Sequence, residues 1–334
     1  MKDLAIVKFQ QGKAKLTANE KKVLDKLVKA AEMTAQIYDE QENKDYPGAN
    51  FYPKDATKEE ILQAAKKDPE ILSPYTVVER DESGNLISVP YFVKYKKNLE
   101  AIAEIINEAA KISDNKQFSS RLYLQANSLL DGSYEASDIY WLSMKPYKIN
   151  FVIGPIERYN DKLLFIKCSY ESWVGVMDEE TTKDAVQFKD YIVGARRRVL
   201  AASEKVDFMD KIQIRVDDTL LFSGMIAKFM FTSSNLPNDV NMMSKYGSEI
   251  VIFNPSFEKK FKEEHLPIFH GVFEEKFQQG YPKELLRKGS LRNTYLHEIS
   301  HPFLRYRDAE RRLKENFPIF DEIAASVFGV RQCG

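Results

Sequence analysis

The hydrophobic positions change their spacing along the chain, and these changes predict most of its helices and strands. Between Thr17 and Gln41, apolar residues recur mostly at intervals of three and four, which is the spacing of one face of an amphipathic helix. Thr17 stands three residues before Glu20, as in a capping box, so we expect the helix to begin there. The same spacing predicts helices over residues 99–110 and 119–130.

Near residue 148 the helical spacing gives way to alternation. Residues 149–153 alternate apolar side chains with polar or small ones, and the pair Asn160-Asp161 is typical of a turn. Residues 163–176 continue as an extended run that is rich in aromatic side chains. The pattern therefore predicts a β-hairpin.

The rest of the chain returns mostly to helical spacing. The pattern predicts a helix over 181–202, two short strands on either side of a turn at Asp217-Asp218, and helices over 257–262 and 272–279. These changes suggest three regions: a mainly helical one over 1–147, a β-rich one over 148–255 and a helical one over 256–334.

The composition is that of an ordinary globular protein. Of 334 residues, 43% are hydrophobic and 12% aromatic, which is ample for a core. The net charge of −1 supplies no overall field to attract nucleic acid or an anionic membrane, so we expect neither as a partner. Cys168 and Cys333 are the only cysteines, and the first residues lack the apolar core of a secretion signal. We therefore expect a cytoplasmic protein.

One short motif carries the chemistry. Residues 297–301 read HEISH, so on a helix His297 and His301 would lie one turn apart on the same face, with Glu298 beside them. Two imidazoles in that arrangement can bind zinc, and the carboxylate can take a proton from a water molecule. The alternative is coincidence, because three fixed positions in five also arise by chance. Pro302 predicts that the helix kinks or ends directly after the motif.

The surrounding sequence offers a third ligand. Ser290 is interpreted as a capping residue for a helix that runs into the motif. Glu322 follows a loop-like segment at 316–318 and lies in a second helical pattern, over 320–327, whose small residues Ala324 and Ala325 would allow close packing. Two histidines from one helix and a glutamate from the next form a His2Glu zinc site, and we expect one zinc ion per chain.

Five segments, in order, carry a resemblance to a known family. They are GPIERYND at 154–161, Lys167 with YESWVGV at 170–176, NLPND at 235–239, HEISH at 297–301 and DEIAA at 321–325. This series resembles the motifs of the dipeptidyl peptidase III family, particularly its bacterial and plant members, over about residues 10 to 330. The ExYxD and NxPN elements are more specific than HExxH, because they occur in the order and spacing of the family.

The resemblance implies an α+β fold with two lobes. One lobe is mostly helical and binds zinc, the other contains a small antiparallel β-barrel or sheet, and a peptide-binding cleft lies between them. It further implies that His297, His301 and Glu322 bind the metal, that Glu298 is the general base, and that Tyr159 stabilises the oxyanion.

The resemblance also implies the residues that hold the N-terminal end of a peptide substrate, which are Glu157, Glu171, Asn235 and Asn238. Carboxylates can pair with a free ammonium group, and asparagines can bond an extended backbone as donor and acceptor. Each residue also has an ordinary interpretation, because strand carboxylates are usually solvated and an Asn-Leu-Pro-Asn segment is usually only a turn.

The chain departs from the family pattern in three places. Animal and yeast members carry one more residue between the two histidines. Ser326 stands where related sequences have an acid that could orient a histidine. Family members also continue well beyond the position of Gly334, so we expect a chain truncated at its C-terminus.

These observations lead to one hypothesis and two alternatives. The first is a zinc metallopeptidase, an aminopeptidase of the dipeptidyl peptidase type that acts on short peptides. The second is a catalytically weak or inactive zinc- and peptide-binding scaffold of the same family, and the third is an unrelated hydrolase with the same zinc signature. The sequence leaves the peptide preference and the oligomeric state open.

Overall fold

The computed structural model describes residues 4–10, 12, 14–199, 211–301, 309–313 and 316–331 of the chain. The chain forms two compact units. The first unit contains Met1–Val176 and Thr219–Met230, and the second contains Met177–Asp218 and Phe231–Gly334. Helices combine with mainly antiparallel strands, so the predicted α+β class is confirmed. The region boundaries near residues 148 and 256 stay a prediction.

The helices of the described residues are numbered in chain order: α1 (Ala18–Gln41), α2 (Lys58–Ala64), α3 (Tyr91–Lys94), α4 (Lys96–Ile112), α5 (Lys116–Asp131), α6 (Glu135–Ser143), α7 (Glu179–Val199), α8 (Met225–Phe229), α9 (Val240–Tyr246), α10 (Asn254–Lys260), α11 (Leu266–Val272), α12 (Glu275–Gln278), α13 (Lys283–Ser300), α14 (Ala309–Leu313) and α15 (Phe317–Arg331). A 3₁₀ turn spans Pro69–Leu72, and a π-helical turn spans Phe261–His265. None of the helices in these described ranges is long and apolar enough to cross a membrane.

The strands of the described residues are numbered in the same way: β1 (Ile6–Lys8), β2 (Thr76–Arg80), β3 (Leu86–Pro90), β4 (Ile149–Glu157), β5 (Ser169–Met177), β6 (Gln213–Gly224), β7 (Ser233–Leu236) and β8 (Glu249–Phe253).

Helix α1 begins where the sequence predicts. The Thr17 hydroxyl accepts the Glu20 N–H at 3.1 Å, and the Glu20 carboxylate accepts the Thr17 N–H at 2.7 Å, which completes the capping box. The apolar face of α1 packs on α4, and α4 packs on α5, which confirms the two helices predicted over 99–110 and 119–130. Buried side chains from these helices and from β4 and β5 form one hydrophobic core.

Strands β4 and β5 form the predicted hairpin in the first unit. They pair antiparallel, with Ile149 opposite Val176 and Pro155 opposite Tyr170, and the register shifts between Pro155 and Glu157. In the same unit β1 pairs antiparallel with the last part of β6, and β2 with β3.

The segment that leads into β5 is not the extended run that the sequence predicts over 163–168. Asp161 is buried, and its carboxylate accepts backbone N–H groups from Leu163, Leu164, Ile166 and Lys167 at 2.9–3.1 Å. These bonds fold the segment into a loop around the carboxylate, so the strand begins only at Ser169.

The turn that the sequence predicts at Asp217-Asp218 is also wrong, because both residues lie inside β6. Arg215 donates to Asp217 at 2.7 Å, and both side chains are buried. Asn254 donates to Asp218 at 2.9 Å. Each carboxylate therefore has a partner within the fold, and the strand continues through the pair.

A smaller core organises the second unit. Strand β8 pairs parallel with the first part of β6 and antiparallel with β7. Buried side chains from these strands contact others from α10 and from α13, among them Ile214, Ile252, Phe257 and Ile299. Helix α13 packs on α7 and α15. The strands and the neighbouring helices therefore fix one face of α13.

The start of α13 corrects the sequence interpretation. The helix begins after Pro282, so Ser290 lies in its interior and is not a cap. The Ser290 hydroxyl instead contacts Nδ1 of His265 at 2.6 Å. Helix α15 contains the predicted segment 320–327 but begins earlier, at Phe317, because Pro318 is tolerated in the first turn of a helix. The predicted helix over 181–202 is seen as α7 up to Val199, and its last residues lie outside the described range.

Candidate metal centre

The two motif histidines lie on one face of α13. Their ring centroids are 4.8 Å apart and the rings are nearly perpendicular, at 86°. His301 has helical backbone angles, φ −49° and ψ −43°, although it precedes a proline. The described helix ends at Ser300, and the kink or end predicted at Pro302 falls on residues that lie outside the described range.

Helix α15 brings Glu322 to the histidines. The Glu322 carboxylate lies 3.2 Å from Nε2 of His297 and 3.9 Å from Nε2 of His301. The ligand atoms of these three residues all lie within 4.8 Å of one another, and among the described residues this is the one group of its kind with metal-binding geometry. The predicted ligand set is thus assembled by two packed helices.

Small residues permit this close approach of the two helices. Ala325 is fully buried, as the sequence interpretation requires of a small residue in α15. A Cβ atom on Gly329 would meet backbone atoms of Leu296 and His297 at 3.2–3.3 Å, which is tighter than ordinary packing. Gly329 was missed in the sequence, although a glycine inside an apolar helical pattern is a signal of close packing.

The second nitrogen of each histidine has its own partner on α15. The Asp321 carboxylate lies 3.0 Å from Nδ1 of His301, and the Ser326 hydroxyl lies 3.3 Å from Nδ1 of His297. Partners of this kind fix the tautomer and ring orientation of a metal-binding histidine, and they leave Nε2 as the ligand atom. Asp321 has no role among the sequence predictions. Ser326, where the resemblance implies an acid, places a hydroxyl beside His297 instead.

The electrostatics of the group favour an ion pair when no metal competes. The hydrogen bond that the His297 ring donates to the Glu322 carboxylate is the main reason that the pKa of His297 is raised above its ordinary value, and burial opposes it. The same bond lowers the pKa of Glu322. A metal cation would compete with a proton for Nε2 of His297, because the nitrogen that ligates a metal must be unprotonated.

Glu298 is buried next to these ligands. One carboxylate oxygen, Oε2, lies 4.0 Å from Nε2 of His301, and the other, Oε1, accepts a hydrogen bond of 2.6 Å from the Ser233 hydroxyl. The side-chain amide of Asn235 approaches the backbone carbonyl of Glu298 at 3.5 Å. Ser233 was missed because nothing in the sequence places β7 beside α13.

The other predicted residues fall into both units. Asn238 is exposed in the second unit, between β7 and α9. Glu157, Tyr159 and Glu171 belong to the first unit, where Glu157 ends β4 and Glu171 lies on β5. Tyr159 is exposed, and its ring lies near those of two phenylalanines, Phe165 and Phe229.

Glu171 has the most unusual environment of this set. Its side chain is buried, and its Oε2 atom has no hydrogen-bond partner. Burial raises the pKa of Glu171 well above its ordinary value, the nearby charge of Glu157 raises it further, and the backbone N–H of Ile226 opposes both. A cation bound next to Glu171 would favour its ionised form and so lower its pKa.

The chain resembles solved structures over nearly its whole length. The structure of DPP III from Caldithrix abyssi matches with a TM-score of 0.83 and 24% identity, over 95% of this chain and 71% of that chain. Dipeptidyl-peptidase III from Corallococcus sp. strain EGB matches with a TM-score of 0.78 and 20% identity, over 97% and 71%. These likenesses confirm the expected fold.

The sequence comparisons each cover part of the chain. Nudix hydrolase 3 from Arabidopsis thaliana is 26% identical over 248 residues, which cover 66% of this chain and only 32% of that protein. The chain thus spans about a third of the length of this relative. The model of peptidase family M49 matches residues 14–199, which end before the metal-binding group. With more than half of its residues matched by that model, the chain belongs to peptidase family M49.

Proposed function

We propose that the chain is a zinc-dependent hydrolase of short peptides with a free N-terminus. The observation that carries the proposal is the convergence of His297, His301 and Glu322 within 4.8 Å, with Glu298 beside them. Membership of a peptidase family supports the substrate class. A cytoplasmic location remains a prediction.

The residues fit zinc in number and kind. Two imidazole nitrogens and one carboxylate oxygen form the His2Glu set, which leaves a coordination position open for water or substrate. Asp321 and Ser326 contact the two Nδ1 atoms, so both Nε2 atoms remain for the metal. When bound, zinc would supply Lewis acidity and lower the pKa of a bound water toward neutrality.

Glu298 is placed to act as the general base. It stands next to the first ligand in sequence and about one turn from the last residue of the motif, His301, whose Nε2 lies 4.0 Å from Oε2 of Glu298. A carboxylate within this reach can accept a proton from water and return it to the leaving amine, a contribution of roughly 10²- to 10⁴-fold in rate.

The substrate side of the proposal rests on the first unit and on β7. As the resemblance implies, Tyr159 donates to the developing oxyanion, and Glu157, Glu171, Asn235 and Asn238 hold the N-terminal end of the peptide. The environment of Glu171 supports the ammonium part of this assignment. A buried carboxyl with an unpartnered oxygen and a second carboxylate nearby is stabilised by a cation, and a peptide N-terminus supplies one.

The deciding experiment measures metal content and peptide hydrolysis together. We expect one zinc per chain, lost in His297→Ala and Glu322→Ala. Glu298→Gln should keep the zinc and lower kcat by roughly 10²- to 10⁴-fold on a tetrapeptide with a free N-terminus. Glu275→Gln changes an exposed carboxylate of the same unit and should leave both quantities unchanged, which makes it the matched control.

Two results would contradict parts of this proposal. Stoichiometric zinc that survives both ligand substitutions would show that the metal binds elsewhere. Zinc bound at this group without any hydrolysis that depends on Glu298 would favour the peptide-binding scaffold.

A further inference from the structure

Ser233 is held rigidly beside Glu298. It is the first residue of β7 and pairs with Ile252 of β8, while the neighbouring Thr232 carbonyl accepts the Phe253 N–H at 2.9 Å. Asn235 lies two residues further along β7 and therefore on the same face of the strand. Because its amide also approaches Glu298, this face of β7 is directed at the motif helix.

The bond between Ser233 and Glu298 has the length of a charge-assisted hydrogen bond. The distance from Oγ of Ser233 to Oε1 of Glu298 is 2.6 Å, within the range of about 2.5–2.7 Å typical of a hydroxyl that donates to a carboxylate. A hydroxyl bound in this way restrains the rotation of the carboxylate group. It also fixes which of the two oxygens remains available.

The two oxygens of Glu298 therefore differ. Oε1 is engaged by Ser233, whereas Oε2 lies 4.0 Å from Nε2 of His301, on the side of the metal-binding atoms. Without the hydroxyl, the carboxylate could rotate about its side-chain torsions and turn both oxygens away from those atoms.

We propose that Ser233 is a positioning residue for Glu298, and that its hydroxyl holds the carboxylate so that Oε2 faces the atoms that would bind the metal. The inference rests on the proposed function, because it assigns a supporting residue to the general base of that reaction. The contact that the structure shows for the Ser233 hydroxyl is with Glu298, so Ser233 acts through that carboxylate.

Removal of the hydroxyl should affect the chemical step and not substrate binding. A base displaced by about 1 Å can cost as much as 100-fold in rate. We therefore expect Ser233→Ala to lower kcat about 10- to 100-fold, with KM within about twofold of the unmodified chain. Ser233→Thr keeps a hydroxyl and suits a strand, so it should recover most of the loss.

A second readout does not depend on turnover. Acetohydroxamate binds zinc through two oxygens and offers a proton to a neighbouring carboxylate, so its affinity reports the placement of Glu298. Calorimetry on the zinc-loaded full chain should show binding weakened roughly 3- to 10-fold in Ser233→Ala, by loss of one oriented hydrogen bond, and restored in Ser233→Thr. Ser234→Ala changes the next residue of β7, on its opposite face, and is the control.

The outcomes separate the two claims. If the unmodified chain hydrolyses peptides or binds acetohydroxamate, and Ser233→Ala matches it within twofold in every quantity, the positioning role is overturned while the proposed function stands. A Ser233→Thr variant as impaired as Ser233→Ala would assign the effect to packing and also overturn it. A chain that holds no zinc would overturn the proposed function, and the inference with it.

Discussion

The two units distribute stability and chemistry differently. In the first unit a large buried cluster connects α1, α4 and α5 with the β4–β5 hairpin. In the second unit the buried cluster is smaller, and large apolar side chains with more than half of their surface exposed are concentrated there: Ile268, Val272, Leu285, Ile319, Ile323, Val327 and Val330. Regions that bind ligands are often drawn from the less stable part of a fold.

Buried polar groups show the same contrast. In the first unit, Nζ of Lys167 donates to the carbonyls of Ile71 and Ser73 and to the hydroxyl of Thr76 at 2.7–2.8 Å, so each of its three donors has an acceptor. In the second unit, His297 and Glu322 contact each other while remaining partly exposed. Polar groups stabilise the fold in the first case and are available for binding in the second.

The largest effect is expected from a cavity in the first unit. Leu27 of α1 is fully buried, so Leu27→Ala should lower the free energy of unfolding of that unit by about 2–5 kcal/mol. Amide hydrogen exchange of α4 at increasing urea measures this loss within the unit. The control is Ile323→Ala on α15, which removes a side chain that is 52% exposed and should cost less than about 0.5 kcal/mol.

Comparable losses of unfolding free energy in Leu27→Ala and Ile323→Ala would contradict the difference that we describe between the two units. They would mean that Ile323 is covered in solution or that the cluster around Leu27 contributes less than its burial indicates.

Metal removal should have a smaller effect, confined to the second unit. At a free zinc concentration about 100 times its dissociation constant, binding stabilises the folded state by about 2.7 kcal/mol. Chelation should therefore reduce the exchange protection of α13 and α15 about 100-fold and leave α4 unchanged. His297→Ala should show the low protection with or without zinc. Equal losses in α4 and α13 would indicate that the two units unfold together.

The fold was predictable from the sequence where local patterns decide the structure. The capping box of Thr17 and Glu20 and the spacing of apolar residues in α1, α4 and α5 depend on neighbours within one or two turns. The errors occurred where the hydrogen bonds of a single carboxylate decide the backbone path. Asp161 folds a loop around its carboxylate, and Arg215 and Asn254 keep Asp217 and Asp218 inside β6.

The site divides in the same way. His297 and His301 are placed together by helix geometry alone, and Glu322 was inferred from a second acidic helix. Asp321 could have been inferred as well, because it precedes a proposed ligand and a histidine needs an orienting partner. Ser233 could not have been inferred, because its contact with Glu298 joins residues 65 positions apart and no pattern in either segment predicts that contact.

The smallest expected effect concerns the first turn of α1 and its dependence on pH. The Glu20 carboxylate accepts the Thr17 N–H at 2.7 Å and the Tyr147 hydroxyl at 3.1 Å, and it pairs with Lys148 at 3.2 Å. Burial raises the pKa of Glu20, but these partners outweigh burial, and the pKa falls below its ordinary value of 4.5. By contrast, the N-cap residue of α13 is Pro282, which makes no side-chain hydrogen bond to the first turn of that helix.

A carboxyl with a lowered pKa in the folded state contributes stability above its unfolded pKa and loses it as the pH falls through the folded pKa. Glu20→Gln keeps an oxygen that can accept the Thr17 N–H and removes only the charge. Glu20→Gln should therefore lower the free energy of unfolding by about 0.5–1 kcal/mol above pH 4.5 and by progressively less below it. Thr17→Ala removes the uncharged half of the capping box and should cost about 1 kcal/mol at every pH. Hydrogen exchange of the α1 amides between pH 3 and pH 7 would compare the destabilisation caused by the two substitutions. If the destabilisation by Glu20→Gln did not change with pH, the charge of Glu20 would contribute nothing to the stability of this unit.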